Sequence, residues 1–230
     1  MPIDIFGLVK DQLTQAAVVN ISEFLGESQQ ATTKAINIAV PTLLGIIMEN
    51  TSNEEGAGSL IKMLKDGGHD GSLLNSLAVN FESGEGITGI LSGVSNITKS
   101  ILSDKLGGVV NLIASASGIK KSSASSLLYL VSPILLSVLG RQVTSQGLGV
   151  SGLKNLLMSQ KEAVMTALPD GARSILNLAD LKDFGINTDS TSSDALGGDD
   201  EIGAFRFNFW PWLLAAALLV GGWYLMRGFI

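Results

Sequence analysis

Residues 19–47 read VNISEFLGESQQATTKAINIAVPTLLGII, and residues 111–139 read NLIASASGIKKSSASSLLYLVSPILLSVL. Set 92 residues apart, the two stretches align: Val18 with Val110, Gly26 with Gly118, Pro41 with Pro133, Leu43 and Leu44 with Leu135 and Leu136, and further on Ser59 with Ser151 and Lys62 with Lys154. Self-similarity at a fixed offset is the mark of one supersecondary unit used twice. In each copy the glycine is placed to end a helix in the left-handed conformation, and a Ser/Thr-rich stretch then opens the next one. Ile36, Val40, Leu43, Leu44 and Ile47 recur at helical spacing, as do Leu128, Val131, Leu135 and Leu139, which predicts two core helices. Pro41 and Pro133 are expected to kink them at equivalent places. Neither run reads as long enough to span a bilayer, since Leu127 to Leu139 is 13 residues and contains Tyr129 and two serines.

Outward from the repeat, Ser52 and Glu55 form an S-x-x-E capping box that predicts a helix running to about Lys65 and stopping at Gly67. Ser72 to Val79 and Ile87 to Ser103 read as further helices separated by glycines, and Asp170, after Pro169, is placed to cap one more over Ala172 to Leu181. No stretch sustains the alternation a sheet needs. The fold class expected is all-α: a multihelical domain of two pseudo-repeats of kinked helices over 1–160, with accessory helices over 161–182.

Residues 183–208, DFGINTDSTSSDALGGDDEIGAFRFN, lose the apolar period and read as an acidic linker. As a flexible coil, 26 residues span about 25 to 31 Å. The cluster Asp199, Asp200 and Glu201 reads as a solvated run that repels anionic lipid rather than as a cation site. From Phe209 to Met226 there are 18 residues without a charge, about 27 Å of helix against a hydrocarbon layer of roughly 30 Å. Trp210 and Trp212 stand at one end with Trp223 and Tyr224 at the other, the aromatic-belt arrangement, and Arg206 and Arg227 bracket the run. Pro211 falls in the first turn, where its missing N–H costs nothing. The sequence thus predicts a transmembrane helix over 209–226 with a tail of 227–230. With no h-region in MPIDIFGLVKDQLTQ and four residues after Met226, the expected topology is single-pass in the inner membrane with the N-terminal domain in the cytoplasm.

Composition narrows the chemistry. The net charge of −6 argues against nucleic acid, whose binding depends on Lys and Arg neutralising phosphates. The absence of cysteine removes disulfides, thiolate catalysis and cysteine-based zinc sites. Some 46% of residues are hydrophobic and 16% charged, enough apolar surface to form a core. The sole histidine, His69, sits in DGGHDG (66–71). A metal reading has one His and two carboxylates at a spacing that matches neither an EF-hand nor a zinc motif. The favoured reading is a turn, with Gly67 ending one helix and Asp70 or Ser72 capping the next. No G-x-S-x-G elbow accompanies His69, and Gly84-Glu85-Gly86 and Gly147-Leu148-Gly149 lack the lysine and strand–helix context of a phosphate loop. The expectation is no catalytic, cofactor or metal site.

AVPTLLGIIMENTSNEEGAGSLIKML (39–64), HDGSLLNSL (69–77) and SGIKKSSASSLLYLVSPILLSVLGRQVTSQGLGVSGL (117–153) together resemble the bacterial family of unknown function DUF937, related to the YidB-like proteins, over roughly residues 5 to 160. The motifs are P-x-L-L-G after an apolar helix, the H-D-G turn, and G-R-Q with downstream Gly-Leu. The resemblance implies a multihelical bacterial domain and no particular activity. Longer relatives that the chain looks like continue past the membrane helix into an OmpA-like domain, whereas the sequence here stops at Ile230, as either a short form or a truncated one. The expected role is a non-enzymatic, membrane-tethered scaffold or adaptor whose partners are the lipid bilayer and a protein or further copies of itself. The alternative is a membrane-active or secreted effector that inserts apolar helices into a bilayer, and a hydrolase using His69 ranks third.

Overall fold

A computed structural model describes residues 3–66, 69, 71–74, 87 and 98–176, without the side chain of Arg173. Among these the chain is helical, with no strand. The α-helices are α1 (Ile5–Gln12), α2 (Gln15–Leu25), α3 (Gln29–Asn50), α4 (Glu54–Asp66), α5 (Leu106–Ser117), α6 (Lys121–Ser145), α7 (Val150–Met158) and α8 (Lys161–Ala167), with 3-10 turns at Ser103–Lys105 and Asp170–Ser174.

The glycine stops fall where the sequence puts them. Gly26 closes α2 at φ 63°, ψ 38°, and Gly118 closes α5 at φ 83°, ψ 13°, a backbone region that costs residues with a Cβ and leaves glycine unpenalised. Ser28 then opens α3, its hydroxyl accepting the Ala31 N–H at 3.2 Å. Both prolines lie inside continuous helices. Next to them, hydroxyls bond back to their own helix: Thr42 Oγ1–H donates to Ile38 O and Ser132 Oγ–H to Leu128 O, each at 2.7 Å. Such bonds let short polar side chains sit in an apolar helix.

The structure corrects three local expectations. The helices through the prolines are 22 and 25 residues long: the Ser/Thr-rich stretches open them as the sequence reads, and the helices extend well beyond the apolar runs at both ends. About 33 and 37 Å of helix is long enough to cross a bilayer, contrary to the sequence reading. By length and composition both qualify as spans, but 78% and 83% of their apolar windows are buried in the domain. Core helices of water-soluble domains meet the same criteria, so this is weak evidence for a membrane. Second, α4 is capped one residue later than the S-x-x-E pattern suggests: Asn53 Oδ1 accepts the Gly56 N–H at 2.7 Å. Asn is as good an N-cap as Ser, and Thr51, buried and bonded to Ile47 O at 2.8 Å, holds the preceding turn against α3. Third, Asp170 begins a 3-10 turn and does not cap an α-helix. Extended Pro169 (φ −68°, ψ 154°) is the N-cap there and bonds through no side chain. Of the helices expected over 72–79 and 87–103, residues 72–74, 87 and 98–102 are helical. The remainder, like residues 177–181, lies outside the described residues.

Packing centres on α3 and α6. These two lie against each other; α3 also touches α1, α2, α5 and α8, and α6 touches α1, α2, α4 and α5, while α4 packs on α7. Residues 41–48 of α3 and 130–140 of α6 are buried without a break. A helix that is apolar all round must be enclosed in this way. Each Leu or Ile so enclosed contributes about 1.5–3 kcal/mol.

Polar links join the periphery. Buried Gln160 accepts the Ile5 N–H at 2.9 Å and donates to Ile3 O, which caps α1 from the far end of the domain. Glu49 at the end of α3 pairs with Lys105, and Asn50 Nδ2–H donates to Ile101 O at 2.9 Å.

Candidate interaction surface

The residues singled out for the membrane, Arg206, Trp210, Trp212, Trp223, Tyr224 and Arg227, lie outside the described residues, as do the linker and its Asp199–Glu201 cluster. His69 is buried at 7% exposure, and its N–H donates to Leu64 O at 3.2 Å. That is the six-residue closure of a helix C-terminus, consistent with the turn reading of DGGHDG. Asp66 is exposed, while Gly67 and Asp70 are outside the described residues. Among the described residues no three His, Asp or Glu side chains gather where a metal could bind.

The structure does assemble a groove that motif reading did not anticipate. α5, LGGVVNLIASAS, carries no charge at any of its 12 positions. Val109, Ile113, Ala114 and Ser117 face the core, which leaves Gly107, Gly108, Asn111 and Ser115 exposed. The 3-10 turn at 170–174 folds back over this helix. A Cβ on Gly171 would lie 2.5 Å from Leu112 Cδ1, so glycine permits the close approach. Between them runs an open groove of about 730 Å³, floored by Leu112, Ala114, Ile119 and Ile175 and ending at Lys120 and Lys121. A smaller cavity of about 200 Å³ lies between the end of α3 (Ile47, Thr51), α4 (Leu60, Met63) and Ile101.

The cationic end of the groove is fixed by a contact across the domain. α6 begins at Lys120 with no capping side chain of its own. Instead Glu27, in the turn between α2 and α3, accepts the Lys120 N–H at 3.0 Å and the Ser123 hydroxyl at 2.7 Å. In a capping box the carboxylate would come from the helix's own third position; here Ser123 occupies it and Glu27 stands in from 96 residues away. The Lys120 backbone hydrogen bond, then the Ser123 hydroxyl and the Lys120 charge, hold the Glu27 carboxyl below its usual range, against a smaller opposing effect of burial. The groove is therefore an uncharged, partly apolar trough with two lysines at one rim. The signal that could have revealed it is the lack of charge in α5, visible in the sequence. The groove itself needs the return of 170–175, which no local pattern encodes.

Comparison with known proteins gives one match. The family described as "Bacterial protein of unknown function (DUF937)" matches residues 7–142, from α1 into α6. No curated protein matches the chain, and no solved structure does. The chain belongs to the DUF937 family.

Proposed function

We propose that this member of the DUF937 family is a non-enzymatic, membrane-tethered scaffold or adaptor. Its helical domain, two related units carrying α2–α4 and α5–α7, is held at the inner membrane through Phe209–Met226, with the domain on the cytoplasmic side. The groove along α5 receives a protein partner or another copy of the chain. The observation that carries this reading is the uncharged outer face of α5. A surface helix normally turns charged residues to water, whereas Gly107, Gly108, Asn111 and Ser115 are exposed here with no charge among them. An uncharged strip beside an apolar trough is cheap to desolvate. The 18-residue uncharged run with aromatic ends supports the tether.

Fractionation with protease protection tests location. The domain should pellet with membranes and be cut only after the cytoplasmic side is opened; a domain found soluble, or cut from the periplasmic side, overturns the tether. A pull-down from detergent-solubilised membranes, repeated with Ser115→Glu, tests the groove. The substitution adds a charge to an exposed position, so folding should be unaffected and capture lost. Capture that is unchanged assigns binding to another face.

A second reading is a membrane-active protein that places apolar core helices in a bilayer. It is favoured by one observation, the length and apolar composition of α3 and α6. Leakage of dye from lipid vesicles tests it.

A further inference from the structure

The two long helices differ in how well they suit a bilayer. In α3 the uncharged run is Ala35–Met48, 14 residues or about 21 Å, and it is closed by Lys34 at one end and Glu49 at the other. That falls well short of the roughly 30 Å hydrocarbon layer, and Glu49 is a carboxylate with too short a stem to reach the interface. In α6 the uncharged run is Ser122–Gly140, 19 residues or about 28 Å. It is bounded by Lys120 and Lys121 at one end and Arg141 at the other. All three are long-stemmed cations that can extend to the headgroup level and are attracted by anionic lipid.

The polar side chains of α6 make the same distinction. Ser132 donates to Leu128 O within its own helix, so that bond travels with the helix. The Ser137 hydroxyl is buried without a hydrogen-bond partner, so leaving the core breaks nothing there. Among the described residues, no side chain from 124 to 140 bonds to another element. The polar links of α6 sit at its ends: Glu27 on Lys120 and Ser123, and Arg141 Nη2–H on Gly71 O at 3.3 Å. Between these ends the helix is held by apolar contact, and lipid tails supply apolar surroundings equally well.

We infer that α6 is a stored membrane-crossing helix, released from the domain core into an anionic bilayer when the Glu27 clasp at its N-terminus opens. The inference deepens the membrane-active reading and rests on it: it names the inserting helix and the contact that retains it.

The chain has no cysteine, so single labels can be introduced cleanly. Tyr129 lies near the middle of the run and is half-buried, which makes Tyr129→Cys a mild change. Ser126→Cys, also half-buried, replaces it if circular dichroism shows the first variant unfolded. The 230-residue chain, labelled there with an environment-sensitive fluorophore, is mixed with vesicles of phosphatidylcholine and phosphatidylglycerol that carry quenchers at mid-bilayer depth. Ala216→Cys in the tail serves as the reference. The expected result is quenching at position 129 to within about twofold of that at 216. Glu27→Gln, which weakens the clasp, should raise the rate of quenching at 129 severalfold. Quenching at 216 with none at 129 overturns the inference, and a rate at 129 that is unchanged in Glu27→Gln overturns the role of the clasp. Dye leakage is recorded in parallel. Leakage without quenching at 129 sinks the inference and leaves the membrane-active reading standing; absence of both sinks the two together.

Discussion

Gly56 and Gly58 stand two residues apart in α4, and alanine at each should move stability in opposite directions. A Cβ built on Gly56 falls 1.8 Å from the backbone O of Asn50 and 3.3 Å from Asn53 Oδ1. The oxygen belongs to the last residue of α3, whose side chain is committed to Ile101 O at 2.9 Å. A carbon and an oxygen need about 3.2 Å, so the α3–α4 turn must open by more than about 1 Å. Overpacking of this kind costs about 1–3 kcal/mol, and displacing Asn53 from the Gly56 N–H removes a cap of about 1 kcal/mol. The better helix propensity of alanine returns somewhat under about 1 kcal/mol. The net expectation for Gly56→Ala is a loss of about 2 kcal/mol, or about 4–8 °C in Tm for a domain of this size. At Gly58 the nearest atom to the added methyl is Val150 Cγ2 at 4.0 Å, so nothing offsets the propensity gain. Gly58→Ala should stabilise by about 0.5–1 kcal/mol. Thermal and urea unfolding followed by far-ultraviolet circular dichroism measures both. If Gly56→Ala proves as stable as the parent chain, the tight approach of the α3 terminus to α4 is wrong, and with it the assignment of Asn53 as cap.

Glu27→Gln keeps the size of the clasp and removes its charge. It should lower stability by about 1 kcal/mol at neutral pH, the usual worth of a helix cap. The parent chain should also carry a pH dependence that the variant lacks. Because the folded-state pKa of Glu27 is depressed, its contribution is full above the ordinary glutamate value and is lost as pH falls through the lower folded value. Urea midpoints of the two chains should therefore converge in acid, and curves that stay parallel would show that Glu27 is not the titrating clasp. Gln160→Leu leaves the buried Ile5 N–H without its acceptor and Ile3 O without its donor. A loss of about 1–3 kcal/mol is expected, together with faster hydrogen exchange confined to α1.

How far the fold could be read from sequence depended on how local each signal was. Gly26 and Gly118 announce their stops because a positive φ is a property of one residue. The apolar spacing of Ile36, Val40, Leu43 and Leu44 announces α3 because it repeats within a turn or two. Helix length was underread, since Thr32, Thr33, Ser122, Ser123, Ser125 and Ser126 have poor intrinsic helix propensity. Burial of the apolar runs that follow overrides that preference: Thr33 bonds Gln29 O and Ser123 bonds Glu27, while the buried Thr32 hydroxyl is enclosed without a hydrogen-bond partner. The cap of α6 was invisible for a different reason. SGIKK offers no acceptor at the cap position, and the carboxylate that fills the gap is nearly a hundred residues upstream. A strong helix with no cap of its own is nonetheless a legible cue that one comes from elsewhere. The groove was half legible: α5 shows its lack of charge in any window, but Ile175 and Gly171 reach it only through the return of the chain.

Groove and clasp share one turn of chain. Lys120 contributes its backbone N–H to Glu27 and also lines the groove's cationic end beside Lys121 and Ile119. A ligand that binds there while Lys120 holds its clasped position favours the closed domain, and by linkage the clasp favours that ligand by the same factor. A ligand that draws the turn outward must first break both clasp hydrogen bonds, together worth about 1 kcal/mol as a helix cap, before it gains anything. Glu27→Gln separates the two cases, because weakening the clasp lowers the affinity of the first kind of ligand and raises that of the second. The direction of that change, measured by titrating any captured partner against both chains, says whether the groove is occupied with α6 stored or with α6 released. A partner whose affinity is identical for both chains engages neither the turn nor the clasp, and must sit further along α5 toward Gly108.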